Sequence, residues 1–144
     1  MKSRSSKCCL AIVLGLSACS DGPAGPGDDV LVGQFGAADV TVELLATHAG
    51  VELVSACGDY FVSDDAARLD GSGSFEVDGE YHYAGPFIGG PADATLSGHV
   101  AGVGVFETVT VTLLIGGGGP TVDPLVLTLR RGEQFAGEPL PCPL

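Results

Sequence analysis

The stretch FEVDGEYHY, residues 75–83, alternates between residues suited to a core and residues suited to water. Successive side chains of a β-strand point to opposite faces of the sheet, so this alternation places one set inside and the other in solvent. The expected inward set is Phe75, Val77, Gly79, Tyr81 and Tyr83. Asp78-Gly79 could instead form a hairpin turn, but the unbroken alternation favours one long strand that bends at Gly79.

Seven further segments have the signature of β-strands, being rich in Val, Leu, Thr or aromatic residues and separated by turn-forming residues. They are residues 30–36, 39–46, 50–57, 59–63, 94–101, 103–115 and 125–131. We therefore predict an all-β fold, an antiparallel meander of about eight strands. Such a meander either closes into a small β-barrel or stacks as a β-sandwich, and the many glycines inside strands favour the barrel because closure requires sharp coiling.

The first eighteen residues have the layout of a secretory signal peptide. Three cations, Lys2, Arg4 and Lys7, precede an apolar stretch of 11 residues at positions 8–18. A charged segment followed by a short apolar segment is typical of an export signal. A spanning helix needs about 20 apolar residues, so this stretch is too short to remain as a membrane anchor.

The apolar stretch ends in Leu16-Ser17-Ala18-Cys19, which resembles the lipobox of bacterial lipoproteins: an aliphatic residue, two small residues and the cysteine that is acylated. The resemblance implies signal cleavage between Ala18 and Cys19 and lipid attachment, palmitate included, at Cys19. It also implies the outer membrane, on its periplasmic or surface face, because Ser20 stands where the family's inner-membrane retention signal has Asp. The alternatives are an ordinary signal peptide and a buried N-terminal helix.

Composition divides the rest of the chain into a tether and one domain. Residues 19–29 are rich in Gly, Pro and Asp and are expected to form a flexible tether between the lipidated cysteine and the fold. Residues 30–144 have the length of a single β-domain.

The chain that remains after cleavage at residue 18 is strongly acidic. It keeps Arg68, Arg130 and Arg131 and no lysine, against all 18 acidic residues, which gives a formal charge of −15. This charge repels phosphate backbones, so we expect no nucleic-acid partner. It also repels anionic lipid headgroups, so we expect the acidic body of the domain to stand off from the bilayer.

Two thiols remain once the signal, with Cys8 and Cys9, is removed and Cys19 is acylated. These are Cys57 and Cys142, and in an oxidising compartment we predict that they form a disulfide bond. The domain also loosely resembles small bacterial lipoproteins with a Gly-rich β-domain, a cysteine near its middle and an Arg-Gly turn followed by a Cys-Pro tail. Here those motifs are Arg131-Gly132 and Cys142-Pro143, and the resemblance implies no activity.

Catalytic and metal-binding motifs are weak in this sequence. The histidines His48, His82 and His99 are scattered and are expected on exposed strands or loops, and no cofactor or metal ion is predicted. Acidic residues are abundant enough to suggest a carboxylate pair of the kind that hydrolyses glycosidic bonds. The candidates for such a pair are Asp59, Asp64, Glu76 and Glu80.

The leading functional hypothesis is therefore a non-enzymatic, membrane-anchored binding or structural module. Its expected partners are the membrane, through the lipid anchor, and either a partner protein or a small apolar ligand. A lipocalin-like ligand carrier and a carboxylate-based hydrolase are the alternatives. Phe75, Tyr81, Tyr83 and Phe106 favour a barrel interior filled with side chains over one that leaves room for a ligand.

Overall fold

Eight antiparallel strands form a closed barrel in which each strand pairs with its neighbours in the sequence and β1 pairs with β8. The structure is a computed structural model and describes residues 29–37, 40–85, 90–116 and 124–134. The strands are β1 (Gly33–Ala37), β2 (Val40–Ala46), β3 (Val51–Ser55), β4 (Tyr60–Ser63), β5 (Ser74–His82), β6 (Ala92–Ala101), β7 (Thr108–Ile115) and β8 (Leu125–Arg131), with one 3-10 turn at Gly104–Phe106. The prediction of an all-β meander closed into a barrel is confirmed.

The segment that predicts the fold forms one continuous strand. β5 runs through Gly79 without a turn and pairs with β6 from Ser74 to Tyr81. A Cβ atom at Gly79 would collide with the Val62 carbonyl oxygen and the Phe61 ring, so only glycine fits here. The expected inward face is confirmed for Phe75 and Val77, which are buried, whereas Tyr83 lies beyond the end of β5 and is exposed.

Inward side chains from all eight strands fill the described part of the barrel. The largest fully buried side chains are Phe35, Leu44, Phe61, Leu96, Val109, Val111 and Leu129. Their summed apolar area drives folding at roughly 25 cal/mol per Å² removed from water. Four cavities lined by described residues open on the outer face of the barrel.

The predicted strand 103–115 begins too early. β7 starts only at Thr108, and the preceding residues form a loop that contains the 3-10 turn. Gly102 and Gly104 have φ angles of +82° and +61°, which a strand does not use. Phe106, which we expected inside the barrel, is consequently 83% exposed.

The connections fall alternately at the two ends of the barrel because neighbouring strands are antiparallel. We call the proximal end the one that carries the start of the described chain, residues 29–32, together with the connections 47–50, 64–73 and 102–107. The distal end carries the connection 56–59 and residues 83–85 that follow β5. Surface residues at the proximal end therefore lie on the same side of the barrel as residues 29–32, the N-terminal segment of the described chain.

Gly98 provides a test of how tightly the barrel coils. A Cβ atom there would lie 2.5 Å from Cζ of Phe75, whose ring is buried. We expect Gly98→Ala to lower the free energy of unfolding by about 1–3 kcal/mol, the usual cost of overpacking a core, as measured by urea denaturation. Gly71→Ala is the control, because a Cβ atom at Gly71 meets nothing within 4 Å; equal stability of the two variants would contradict the packing argument.

Candidate functional site

Three apolar side chains project into solvent from the connection between β6 and β7. Val103, Val105 and Phe106 are 79%, 79% and 83% exposed, whereas the other exposed large apolar side chains of the described residues are 36% to 59% exposed. Single exposed apolar residues are common on protein surfaces, but a contiguous group marks an interaction site. We call residues 102–107 the apolar loop.

The apolar loop has a defined conformation. Its 3-10 turn is closed by two hydrogen bonds, in which the Phe106 N–H donates to the Val103 carbonyl at 3.2 Å and the Glu107 N–H donates to the Gly104 carbonyl at 3.1 Å. Gly102 also lies against the Phe106 carbonyl so closely that a Cβ atom would be only 2.5 Å from its oxygen. The loop therefore presents its side chains from a preformed backbone.

Arg131, at the end of β8, fixes the base of this loop. Its guanidinium donates one hydrogen bond to Glu107 Oε1 at 2.6 Å and another to the Val32 carbonyl at 2.7 Å. The guanidinium carbon lies 4.7 Å from the centre of the Phe35 ring, in a cation–π contact. The Arg131 N–H also donates to the Glu107 carbonyl at 3.0 Å. One side chain thus joins the apolar loop to the segment where the chain enters the barrel.

A second polar cluster lies on the proximal half of the outer face. Asp70 Oδ1 accepts hydrogen bonds from the N–H groups of Ser72 and Ser74, at 2.8 and 2.9 Å, and from the Ser72 hydroxyl at 2.7 Å. These hydrogen bonds, that of the Ser72 hydroxyl first, lower the pKa of Asp70 below its usual value of 3.8. The arrangement is a capped turn that positions the start of β5.

The Ser74 hydroxyl lies 3.2 Å from His99 Nδ1, and both side chains line an open groove on the outer face of β5 to β7. A nucleophile–histidine–carboxylate triad places the carboxylate on the second ring nitrogen. Here Asp70 instead contacts the serine side of the pair, through Ser72 and Ser74. The cluster therefore contains the residue types of a triad, but the carboxylate contacts the serines rather than the histidine. Its hydrogen bonds stabilise the turn that precedes β5.

Aromatic residues form a cluster near the distal end. The rings of Tyr60 and His82 stack at 4.4 Å, and those of Tyr81 and Tyr83 meet edge to face at 4.9 Å. Burial first, and then the negative charge and hydrogen bonding of Asp59, raise the pKa of Tyr81 to about 12. Asp59 also accepts a hydrogen bond from the Ala84 N–H, which holds the end of β5 against the turn after β3.

Of the four carboxylates of the hydrolase hypothesis, Glu76 and Glu80 are separated along one strand, and Asp59 and Asp64 lie at opposite ends of β4. Glu76 and Glu80 share the outer face of β5, where four residues correspond to roughly 13 Å, more than the roughly 5–9 Å of a carboxylate pair. Glu80 lies 3.5 Å from His82 Nε2. Asp64 follows β4 at the proximal end, and Asp59 precedes β4 at the distal end.

The histidines and the potential metal ligands are likewise dispersed. His48 lies in the exposed turn between β2 and β3, and His99 is exposed on β6. Within the described ranges, no three side chains of His, Cys, Asp or Glu are grouped so that they could hold a metal ion.

The processing residues of the sequence prediction, Ala18 and Cys19, lie outside the described residues, as does Cys142. Cys57 is placed in the turn between β3 and β4, at the distal end, and is disulfide-bonded. Its pairing with Cys142 stays a prediction.

The chain matches no known protein family, no curated protein and no solved structure. Among the described residues, no helix has the length and apolar character needed to cross a bilayer.

The contribution of Arg131 to stability can be measured by comparing its substitution with that of Arg130, the preceding residue. The Arg131 and Glu107 side chains are only 31% and 15% exposed, whereas Arg130 is 66% exposed and lies 3.6 Å from Glu133. We expect Arg131→Gln to lower the free energy of unfolding by about 2 kcal/mol, because it leaves a part-buried carboxylate unpaired. Arg130→Gln should change it by less than about 0.5 kcal/mol. Urea denaturation of both variants checks this, and similar losses would refute the assigned role of Arg131.

The raised pKa of Tyr81 implies that the folded protein loses stability at alkaline pH. Its pKa is raised from 10.0 to about 12 in the folded protein, so between these values the unfolded chain loses a proton that the folded chain retains. We expect the free energy of unfolding to fall as the pH rises from 10 to 12, and Tyr81→Phe to flatten this fall. Ultraviolet absorbance of tyrosinate should show Asp59→Asn lowering the pKa of Tyr81; an unchanged titration would exclude Asp59 as a cause.

Proposed function

We propose that the protein is a bacterial lipoprotein, held on the outer membrane by acyl chains on Cys19, whose barrel is a non-enzymatic binding or structural module. The observation that carries the proposal is Leu16-Ser17-Ala18-Cys19 at the end of a short apolar stretch behind three cations. Two acyl chains give stable attachment to a bilayer, whereas one holds a protein only marginally.

The beginning of the fold is compatible with this attachment. The described chain starts at Asp29 and joins the barrel through the pairing of Val30 with Arg68, at the proximal end. Only ten peptide steps separate Cys19 from Asp29, which at about 3.5 Å each limit the distance between these residues to about 35 Å. A barrel attached in this way stays close to the membrane surface with its proximal end nearest the anchor.

The filled interior favours binding through the outer surface over the carriage of a ligand inside the barrel. A barrel of eight strands is just wide enough for side chains to fill or for one small ligand, and here Phe35, Phe61 and Leu96 are fully buried inside it. The formal charge of −15 for the chain after residue 18 argues against nucleic acids as partners. We therefore favour a partner protein or the membrane surface.

The export proposed here is consistent with a disulfide between Cys57 and Cys142. Disulfide bonds form and persist in the oxidising compartments outside the cytoplasm. Cys57 is disulfide-bonded, and Cys142 is the cysteine left for it once the signal is removed and Cys19 is acylated. The bond would tie the C-terminal segment to the distal end of the barrel.

Intact mass measurement on protein extracted from bacterial membranes tests the proposal. We expect a chain that begins at residue 19, carries acyl chains and lacks two hydrogens until it is reduced. Cys19→Ser should abolish acylation and move the protein from the membrane fraction to the soluble fraction, whereas Cys9→Ser, within the signal, should leave both unchanged. A wild-type protein that is cleaved but carries no acyl chain at residue 19 would refute the lipoprotein assignment.

A further inference from the structure

We propose that the apolar loop, residues 102–107, inserts Val103, Val105 and Phe106 into the surface of the bilayer to which Cys19 is attached. This inference rests on the proposed lipid anchor and adds a second, non-covalent membrane contact to it. The ligand is the interfacial region of a lipid bilayer, recognised through apolar side chains rather than through charge. Contact of the loop with a second copy of the chain is the competing outcome that the experiment distinguishes.

The first argument is the degree of exposure. Each of the three side chains is about four-fifths exposed, more than any other large apolar side chain of the described residues. Keeping these side chains in water is unfavourable in proportion to their apolar area. Transfer of the same area into the acyl boundary of a bilayer removes that cost, and binding strength at an interface scales with the apolar area buried there.

The second argument is the position of the loop relative to the anchor. The Arg131 guanidinium donates hydrogen bonds to Glu107, at the end of the apolar loop, and to the carbonyl of Val32, the fourth residue of the described chain. The loop and the N-terminal segment are therefore held side by side at the proximal end. Because at most about 35 Å separates Asp29 from Cys19, the anchor keeps the loop within reach of the same bilayer.

The third argument is that the loop needs no rearrangement to insert. Its turn is already closed by the hydrogen bonds from Phe106 to Val103 and from Glu107 to Gly104. A preformed site avoids the entropy cost of ordering a segment on binding. The anchor also raises the local concentration of bilayer around the loop, so even a weak partition of three side chains keeps it inserted.

Charge decides which membrane surface the loop fits. Arg130 and Arg131 lie beside the loop, but each is paired with a carboxylate, Glu133 and Glu107 respectively. Arg68 also lies at the proximal end, but Asp64, Asp65 and Asp70 of the same connection outnumber it. The proximal end therefore offers no surplus of cations to anionic headgroups, and the acidic barrel as a whole repels them. The acidic body stands off from the headgroups while the uncharged side chains of the loop reach past it, so we expect insertion into zwitterionic lipid that is insensitive to salt.

The chain contains no tryptophan, which makes a single-site fluorescence experiment possible. The probe is Phe106→Trp in the full mature protein, reconstituted in vesicles of phosphatidylcholine with and without bromine atoms on the acyl chains. We expect a blue-shifted emission and at least roughly twofold quenching by the brominated lipid, unchanged in high salt. The control is Tyr83→Trp, whose residue is exposed beyond the end of β5 at the distal end and should be neither shifted nor quenched.

A companion variant removes the apolar side chains and keeps the barrel. Val105→Ser combined with Phe106→Ser, in the unacylated Cys19→Ser background, should lower the vesicle partition coefficient at least roughly tenfold, given the apolar area lost. Because these side chains contact mainly solvent, urea denaturation should show little change in stability. An unchanged partition coefficient would overturn the proposal.

The outcomes separate this inference from the lipid anchor. Acylated protein whose probe at position 106 is not quenched would refute insertion and leave the lipoprotein assignment intact. Quenching of the probe in protein that proves unacylated by mass would support insertion and refute the anchor. A blue shift that depends on protein concentration and occurs without vesicles would show that the loop contacts a second copy, and would overturn the proposal.

Discussion

Closure of the barrel depends on the short seam between β1 and β8, and Arg131 holds that seam. Among the described residues, two pairs join the strands there, Phe35 with Arg131 and Gly36 with Arg130, whereas eight pairs join β6 to β7. The Arg131 side chain extends the contact by covering the Phe35 ring and by bonding Val32 and Glu107. A guanidinium suits this position because its planar fork donates in two directions and its face packs on an aromatic ring. The seam, the start of the chain and the apolar loop are thus stabilised together.

Much of the fold could be predicted from local pattern, because a strand's inward face repeats every second residue. The choice of a barrel over a sandwich rested on the in-strand glycines, and the structure gives the reason: at Gly79 and Gly98 the neighbouring rings of Phe61 and Phe75 occupy the space of a side chain. The same pattern failed at residues 103–107. Val103 and Val105 alternate as in a strand, but the positive φ angles of the glycines before each of them turn the chain out of the sheet.

The candidate site was less predictable, because its contacts depend on the register of distant strands. Arg131 and Glu107 are 24 residues apart, and Ser74 and His99 are 25 apart. Their proximity follows from the pairing of β7 with β8 and of β5 with β6, which alternation alone does not fix. Two features of the linear sequence did point to function or to specific contacts. One is the lipobox-like sequence that ends at Cys19. The other is the presence of only three arginines after residue 18, which makes each of them a candidate for a specific contact.

The two ends of the barrel carry different surfaces: the apolar loop lies at the proximal end and exposed aromatic residues lie near the distal end. With the apolar loop and the anchor at the membrane, the distal end points away from it. There the stacked Tyr60 and His82, with Glu80 beside them, combine flat rings with charge on an exposed surface. Exposed aromatic residues of this kind bury large area at low entropy cost when a partner binds. In the proposed orientation, the barrel would hold this aromatic surface on the side that faces away from the bilayer.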